Sequence, residues 1–183
     1  MGTGYRWFQG VTRRLFLLAL LGALSGCATG INAPPASPDQ DGIQALRSHE
    51  GMFRLGPITT TLPASSKSGQ VLLAELAQRL SVTLANFDYL QTDRNRPAYL
   101  ITAVLEKAEV PFGGFDIKYE AAVRYVITDP SGARVLDKLV PSEGAANVSE
   151  KLIGWQRGYL AQERLYKNIS RQFIEELNRL PVR

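Results

Sequence analysis

Between residues 115 and 127 every odd position is apolar: Phe115, Ile117, Tyr119, Ala121, Val123, Tyr125 and Ile127. The even positions of the same stretch include Asp116, Lys118, Glu120 and Arg124. Successive side chains of a strand point to opposite faces, so this period of two demands a sheet with one dry face and one wet face. A segment like this cannot be the centre of a doubly covered parallel sheet. Its neighbours must supply strands beside it and something apolar to cover one side.

The flanking sequence supplies both. Residues 99–110 open almost wholly apolar, Tyr99-Leu100-Ile101-Thr102-Ala103-Val104-Leu105, and turn charged at Glu106 and Lys107, which predicts an interior strand. Pro111-Phe112-Gly113-Gly114 then turns the chain, and Asp129-Pro130-Ser131-Gly132 is a second turn leading to a strand from 133 to about 140. Residues 52–61 are β-prone but broken by Gly56-Pro57, as in an edge strand with a bulge.

Two segments have helical spacing. Leu72, Leu76, Leu80 and Leu84 recur at steps of four within residues 68–87, and Leu165, Ile169, Phe173 and Leu177 do so within 150–180, where Pro181 ends the run. The predicted fold class is therefore α+β, two-layer, with an antiparallel sheet of about four strands packed by two helices in the order β-α-β-β-β-α. Residues 51–183 form this single domain. Residues 27–50, with Pro34, Pro35, Pro38, Gly30 and Gly42, read as a flexible tether.

The first 26 residues read as a signal peptide. Residues 1–14 carry Arg6, Arg13 and Arg14 and no acid, and 15–26 form an apolar run too short to span a bilayer, which needs roughly 20 residues. The run ends in Leu24-Ser25-Gly26-Cys27, which resembles the lipobox of bacterial lipoproteins. That resemblance implies cleavage before Cys27, a covalent lipid such as palmitate on it, and attachment to the membrane. Two or three acyl chains anchor stably where one holds only marginally. Ala28, in place of an aspartate, implies by the same resemblance the outer membrane, with the domain facing the periplasm. Thr12-Arg13-Arg14-Leu15-Phe16-Leu17 also resembles a twin-arginine export signal, so two export routes remain open.

Cleavage changes the charge. The chain has 21 Lys plus Arg against 17 Asp plus Glu, a net +4, with a pI near 9.3. Three of those bases precede Cys27 and no acid does, which leaves 18 against 17. A nearly neutral domain has no electrostatic claim on nucleic acid.

The residues from 99 to 180 resemble a group of small proteobacterial envelope lipoproteins. The matching pieces are Gly114-Phe115-Asp116, Val123-Arg124-Tyr125, Ala161-Gln162-Glu163-Arg164 and Asn168-Ile169. Some members bear the name UDP-N-acetylglucosamine acyltransferase. Acyltransferases of that name resemble a left-handed β-helix of hexapeptide repeats with a catalytic histidine, and this sequence has no such repeats.

The inventory of reactive side chains points away from catalysis. Cys27 is the only cysteine and His49 the only histidine, and His49 reads as a solvated tether residue. Glu106 and Glu109 stand three apart on a strand, which places them on opposite faces. Glu175 and Glu176 read as a solvated helix face, and Asp116, Lys118, Glu120 and Arg124 as the charged side of a sheet. Gly113-Gly114 lacks the lysine of a phosphate loop. No cofactor is expected beyond the covalent lipid on Cys27, and the chain reads as a non-enzyme.

Aromatic residues beside turns and glycines remain. Phe112, Phe115, Trp155 and Tyr159 are either core or a docking surface for an envelope protein or a lipid. Function is thus expected to be a non-catalytic binding or accessory role at the membrane. Alternatives are a lipid or glycolipid carrier, which would need a cavity among Leu76, Leu80, Ile169 and Phe173, and at lowest rank an envelope acyltransferase.

Overall fold

A computed structural model describes residues 42–110 and 115–182. The elements run β1 (Phe53–Thr60), α1 (Lys67–Asn86), β2 (Tyr99–Glu109), β3 (Ile117–Thr128), β4 (Arg134–Ala146) and α2 (Gly154–Asn178), with a short 3-10 turn at Arg47–His49. The strands form one four-stranded sheet in the order β1-β2-β3-β4. Both helices lie on one face, α1 over β1 and β2, α2 over β3 and β4. The two-layer α+β architecture and the element order are as the sequence predicts.

The sheet is mixed. β2, β3 and β4 pair antiparallel, but β1 pairs parallel to β2. The cause is α1, which carries the chain from the end of β1 back to the level of its start, so β2 leaves in the same direction. β1 is an edge strand whose register shifts between Leu55 and Ile58, at Gly56-Pro57. The β3–β4 turn is held by the Asp129 carboxylate, which accepts from the backbone N–H of Ser131 at 2.8 Å and of Ala133 at 2.9 Å. Gly132 sits there at φ +88, where only glycine is unstrained.

The core lies between the layers. Leu76, Leu80 and Leu84 of α1 and Leu165, Ile169, Phe173 and Leu177 of α2 meet Ile101, Leu105, Val123, Tyr125 and Ile127 of the sheet, all but fully buried. Tyr125 and Phe173 pack with ring centroids 5.0 Å apart. Each such side chain contributes about 1.5–3 kcal/mol by leaving water, so both leucine-rich stripes are what hold the helices down.

Three local readings need correction. β4 continues past Val140 to Ala146, through Pro141 and Gly144. Proline is tolerated because β4 is an edge strand, and Gly144 is required because α2 crosses it at backbone contact. A Cβ on Gly144 would stand 2.8 Å from the Leu165 Cα and closer still to the Ala161 carbonyl oxygen and the Leu165 nitrogen. Secondly, the β2 register shifts between Leu105 and Lys107, and this bulge turns Glu106 and Glu109 to the same face. Thirdly, Glu176 is not solvated: it is buried on α2, where its Oε1 accepts from Lys138 of β4 at 2.8 Å and also from Arg179.

Candidate functional site

Cys27 and Phe112 lie outside the described residues. Phe115, Trp155 and Tyr159 are 83%, 73% and 57% exposed, joined by two residues not singled out from the sequence, Leu152 at 84% and Ile153 at 51%. They share one end of the domain. The first turns of α2 cross the start of β3, and a Cβ on Gly158 would lie 3.8 Å from the Tyr119 hydroxyl and 4.0 Å from Ile117 Cδ1. Beneath them Ile117, Ala146 and Ala161 form a small satellite core with Tyr119 and Leu160 against it. Phe115 comes two residues before Ile117. The turn into α2 is pinned from below, because Arg157 donates to the carbonyls of Lys151 at 2.9 Å and Leu152 at 2.7 Å. With its backbone so held, the Leu152 side chain stays outward. The available signal was the apolar run Leu152-Ile153-Gly154-Trp155, whose positions have no helical or strand period to bury them.

The other end of the domain holds the N-terminal approach of the chain. Leu46 N–H donates to the Tyr89 hydroxyl at 2.7 Å, which donates in turn to Asn178 Oδ1 at 2.6 Å, and Asn178 Nδ2 donates to the Gln44 carbonyl at 3.2 Å. Burial pushes the Tyr89 hydroxyl pKa up, and the Leu46 N–H offsets part of that shift.

His49 completes this latch and overturns its reading as a solvated residue. It is 2% exposed, its Nε2–H donates to the Leu177 carbonyl at 3.0 Å, and its Nδ1 accepts from Ser48 Oγ at 2.9 Å. Its ring packs 5.6 Å from Phe53 and 5.4 Å from Tyr89. A neutral imidazole with both nitrogens satisfied buries as readily as an aromatic.

The chain therefore enters the domain beside the C-terminal end of α2, while the aromatic patch sits at its N-terminal end. Trp155 and Asn178 are 23 positions apart on one helix, or about 34 Å at ~1.5 Å per residue.

The sheet offers less for docking. At one edge, Phe53 N–H donates to the Tyr89 carbonyl at 3.0 Å and its own carbonyl accepts from Gln91 at 2.6 Å, and Pro57 has no N–H. At the other, the carbonyls of Glu143 and Ala145 accept from Asn168 at 2.7 Å and Arg164 at 2.6 Å of α2, and Pro141 again lacks a donor. Edges closed in this way resist strand addition. The uncovered face carries a charge network. Arg124 bonds Glu106 at 2.6 Å and Asp137 at 3.0 Å, and Glu120 lies between Lys107 at 2.5 Å and Lys118 at 2.9 Å. These two lysines hold the Glu120 pKa down to about 2.

The space among Leu76, Leu80, Ile169 and Phe173 is filled by those side chains. A cleft of about 680 Å³ opens instead at the start of α1, lined by Lys67, Leu72, Tyr119, Leu165 and Tyr166 among others, so that its floor is the edge of the core itself. Among the described residues no group of three or more His, Cys, Asp or Glu stands together as metal ligands. Among them, too, no helix is long and apolar enough to cross a membrane.

No protein-family profile and no curated protein sequence matches the chain. Solved structures do. A hypothetical protein from Chlamydia trachomatis superposes with a TM-score of 0.52 at 12% identity, over 70% of this chain and 95% of that one. A minor lipoprotein from Acinetobacter baumannii matches with a TM-score of 0.43 at 17% identity, over 70% of this chain and 95% of that one. A lipoprotein from Neisseria meningitidis matches with a TM-score of 0.35 at 12% identity, over 69% and 98%. The likeness to the chlamydial protein is one of fold.

Proposed function

We propose that this chain is a lipid-anchored protein of the bacterial envelope, held by acylated Cys27 at the periplasmic face of the outer membrane. Its domain works without catalysis, by docking a protein partner at the end remote from the tether. The observation that carries this reading is the placement of Phe115, Leu152, Ile153, Trp155 and Tyr159. Five large apolar residues lie more than half exposed at one end of the domain. A patch of this kind is expensive to leave in water and marks a protein or membrane contact.

The tether favours a protein. Gly42 follows Cys27 by 15 positions, and a coil of that length spans about 21 Å root mean square. That is shorter than the ~34 Å between the two ends of α2, which favours a patch turned away from the bilayer that holds the lipid. The reactive side chains are committed to structure: His49 to the Leu177 carbonyl, Glu106 to Arg124, Glu120 to Lys107 and Lys118. A carrier with its cargo among Leu76, Leu80, Ile169 and Phe173 would need space that those side chains fill.

A photoreactive amino acid at position 155, activated in intact cells, tests the docking role. The expected result is one discrete crosslinked protein, lost when Tyr159→Ser is added. Adducts with bulk lipid and abundant proteins only would refute it.

A further inference from the structure

We propose that the cleft at the start of α1 binds a single-chain anionic amphiphile of the fatty-acid type, with its tail on Leu72, Tyr119, Leu165 and Tyr166 and its head at Lys67. This goes beyond partner docking and does not rest on it. About 680 Å³ is the size of a small-molecule site, and the lining is mainly aliphatic and aromatic, with polar residues from the start of α1 (Ser65, Lys67, Ser68), the sheet (Glu109, Glu120) and α2 (Gln162). Val71 and Val110 at its mouth are 57% and 45% exposed. Two apolar lips left in water at the entrance to an apolar floor suit a hydrocarbon chain better than a polar metabolite.

The charge at the cleft selects the head group. Besides Lys67 and the two tyrosines, the polar residues lining it are Ser65, Ser68, Glu109, Glu120 and Gln162. The carboxylates are compensated, since Lys107 lies 3.3 Å from Glu109 and 2.5 Å from Glu120, and Lys118 lies 2.9 Å from Glu120. Lys67 has no ion-pair partner among the described residues and opens a helix with no acid in its first turn. The uncompensated charge is therefore positive, from an ammonium and the positive end of α1 together. Ser65 and Ser68 add hydroxyl donors on the same side. An anionic head there and a tail running past Leu72 towards Leu165 satisfies both halves of the cleft.

The test uses the mature lipidated protein in phosphatidylcholine nanodiscs. One probe is palmitate carrying a diazirine near mid-chain; the other is the uncharged glycerol ester of the same acid. Lys67→Glu places an acid where a helix start favours one, and Val71→Glu changes an exposed side chain, so both variants keep the fold, checked by thermal melts. The palmitate probe should label peptides containing Leu72, Leu165 or Tyr166. Lys67→Glu should cut that label at least fivefold and leave the ester within twofold, while Val71→Glu should cut both. Label indifferent to both substitutions, confined to other residues, or equally reduced for both probes by Lys67→Glu would overturn the proposal. Partner capture at position 155 is read separately, so the two readings can fail independently.

Discussion

The imidazole of His49 donates from Nε2 to the carbonyl oxygen of Leu177 at 3.0 Å, joining positions 128 apart. Through this bond the last residues before β1 are fastened to the last turn of α2. Residues 46–49 are thereby held at the C-terminal end of α2, at the opposite end of that helix from Trp155.

His49→Ala should destabilise the domain by about 2 kcal/mol. It removes two aromatic contacts worth about 0.5–1.5 kcal/mol each and one hydrogen bond worth about 0.5–1.5 kcal/mol, while the Leu177 carbonyl still accepts from the Leu180 N–H at 2.9 Å. A urea unfolding midpoint equal to that of the unaltered protein would show that the latch contributes nothing.

Two glycines should respond to alanine for different reasons. At Gly144 the new Cβ meets backbone of α2 at Ala161 and Leu165, which cannot move aside without lifting the helix. The loss there should be about 3 kcal/mol or more. At Gly132 a Cβ meets nothing within 4 Å, but φ is +88, so the loss should be nearer 1 kcal/mol. Calorimetric melts of both variants check the ranking; a larger drop for Gly132→Ala would reverse the argument.

Acid should weaken the domain through two carboxylates. Lys107 and Lys118 hold Glu120 at about 2, and Arg164 with the Asn147 N–H holds Glu150 at about 2. Each value lies below the ~4.3 of an unfolded glutamate. Their contribution is therefore complete above about pH 5 and is lost as pH falls towards 2. Glu120→Gln combined with Glu150→Gln should flatten the melting temperature against pH over that window, and 1 M salt should do part of the same. An unaltered slope in the double variant would exclude these pairs.

Much of this fold was legible in the sequence because the core is periodic. Leucines at steps of four placed both helices, and the odd-position run from Phe115 to Ile127 placed the strand with one wet face. The parallel pairing of β1 was not legible, since it depends on where α1 returns the chain. The continuation of β4 beyond 140 was not legible either, because Gly144 is a contact point for α2 and Pro141 a harmless edge position only once the sheet is assembled. His49 was misread because its partners come from Ser48 and from Leu177 at the far end of the sequence. The exposure of Trp155 and Tyr159 was an open choice that residue type alone could not settle, because an aromatic beside a glycine suits core and surface equally.

Trp155→Ser with Tyr159→Ser should leave the unfolding midpoint within about 0.5 kcal/mol, the usual range for surface changes. A large loss of stability would make these side chains structural and remove them from any docking surface.

Cys27→Ser should abolish incorporation of labelled palmitate and leave an uncleaved precursor. Continued labelling of the variant would contradict the anchor.

The orientation of the domain is tested most directly by tryptophan fluorescence. The chain has two tryptophans, and the proposed cleavage before Cys27 would remove Trp7 and leave Trp155 as the reporter. In vesicles containing brominated phosphatidylcholine, which quenches an indole lying at the bilayer, the mature lipidated protein should keep its full Trp155 emission. Emission quenched by half or more would put the aromatic end against the membrane and contradict a patch turned towards a protein partner.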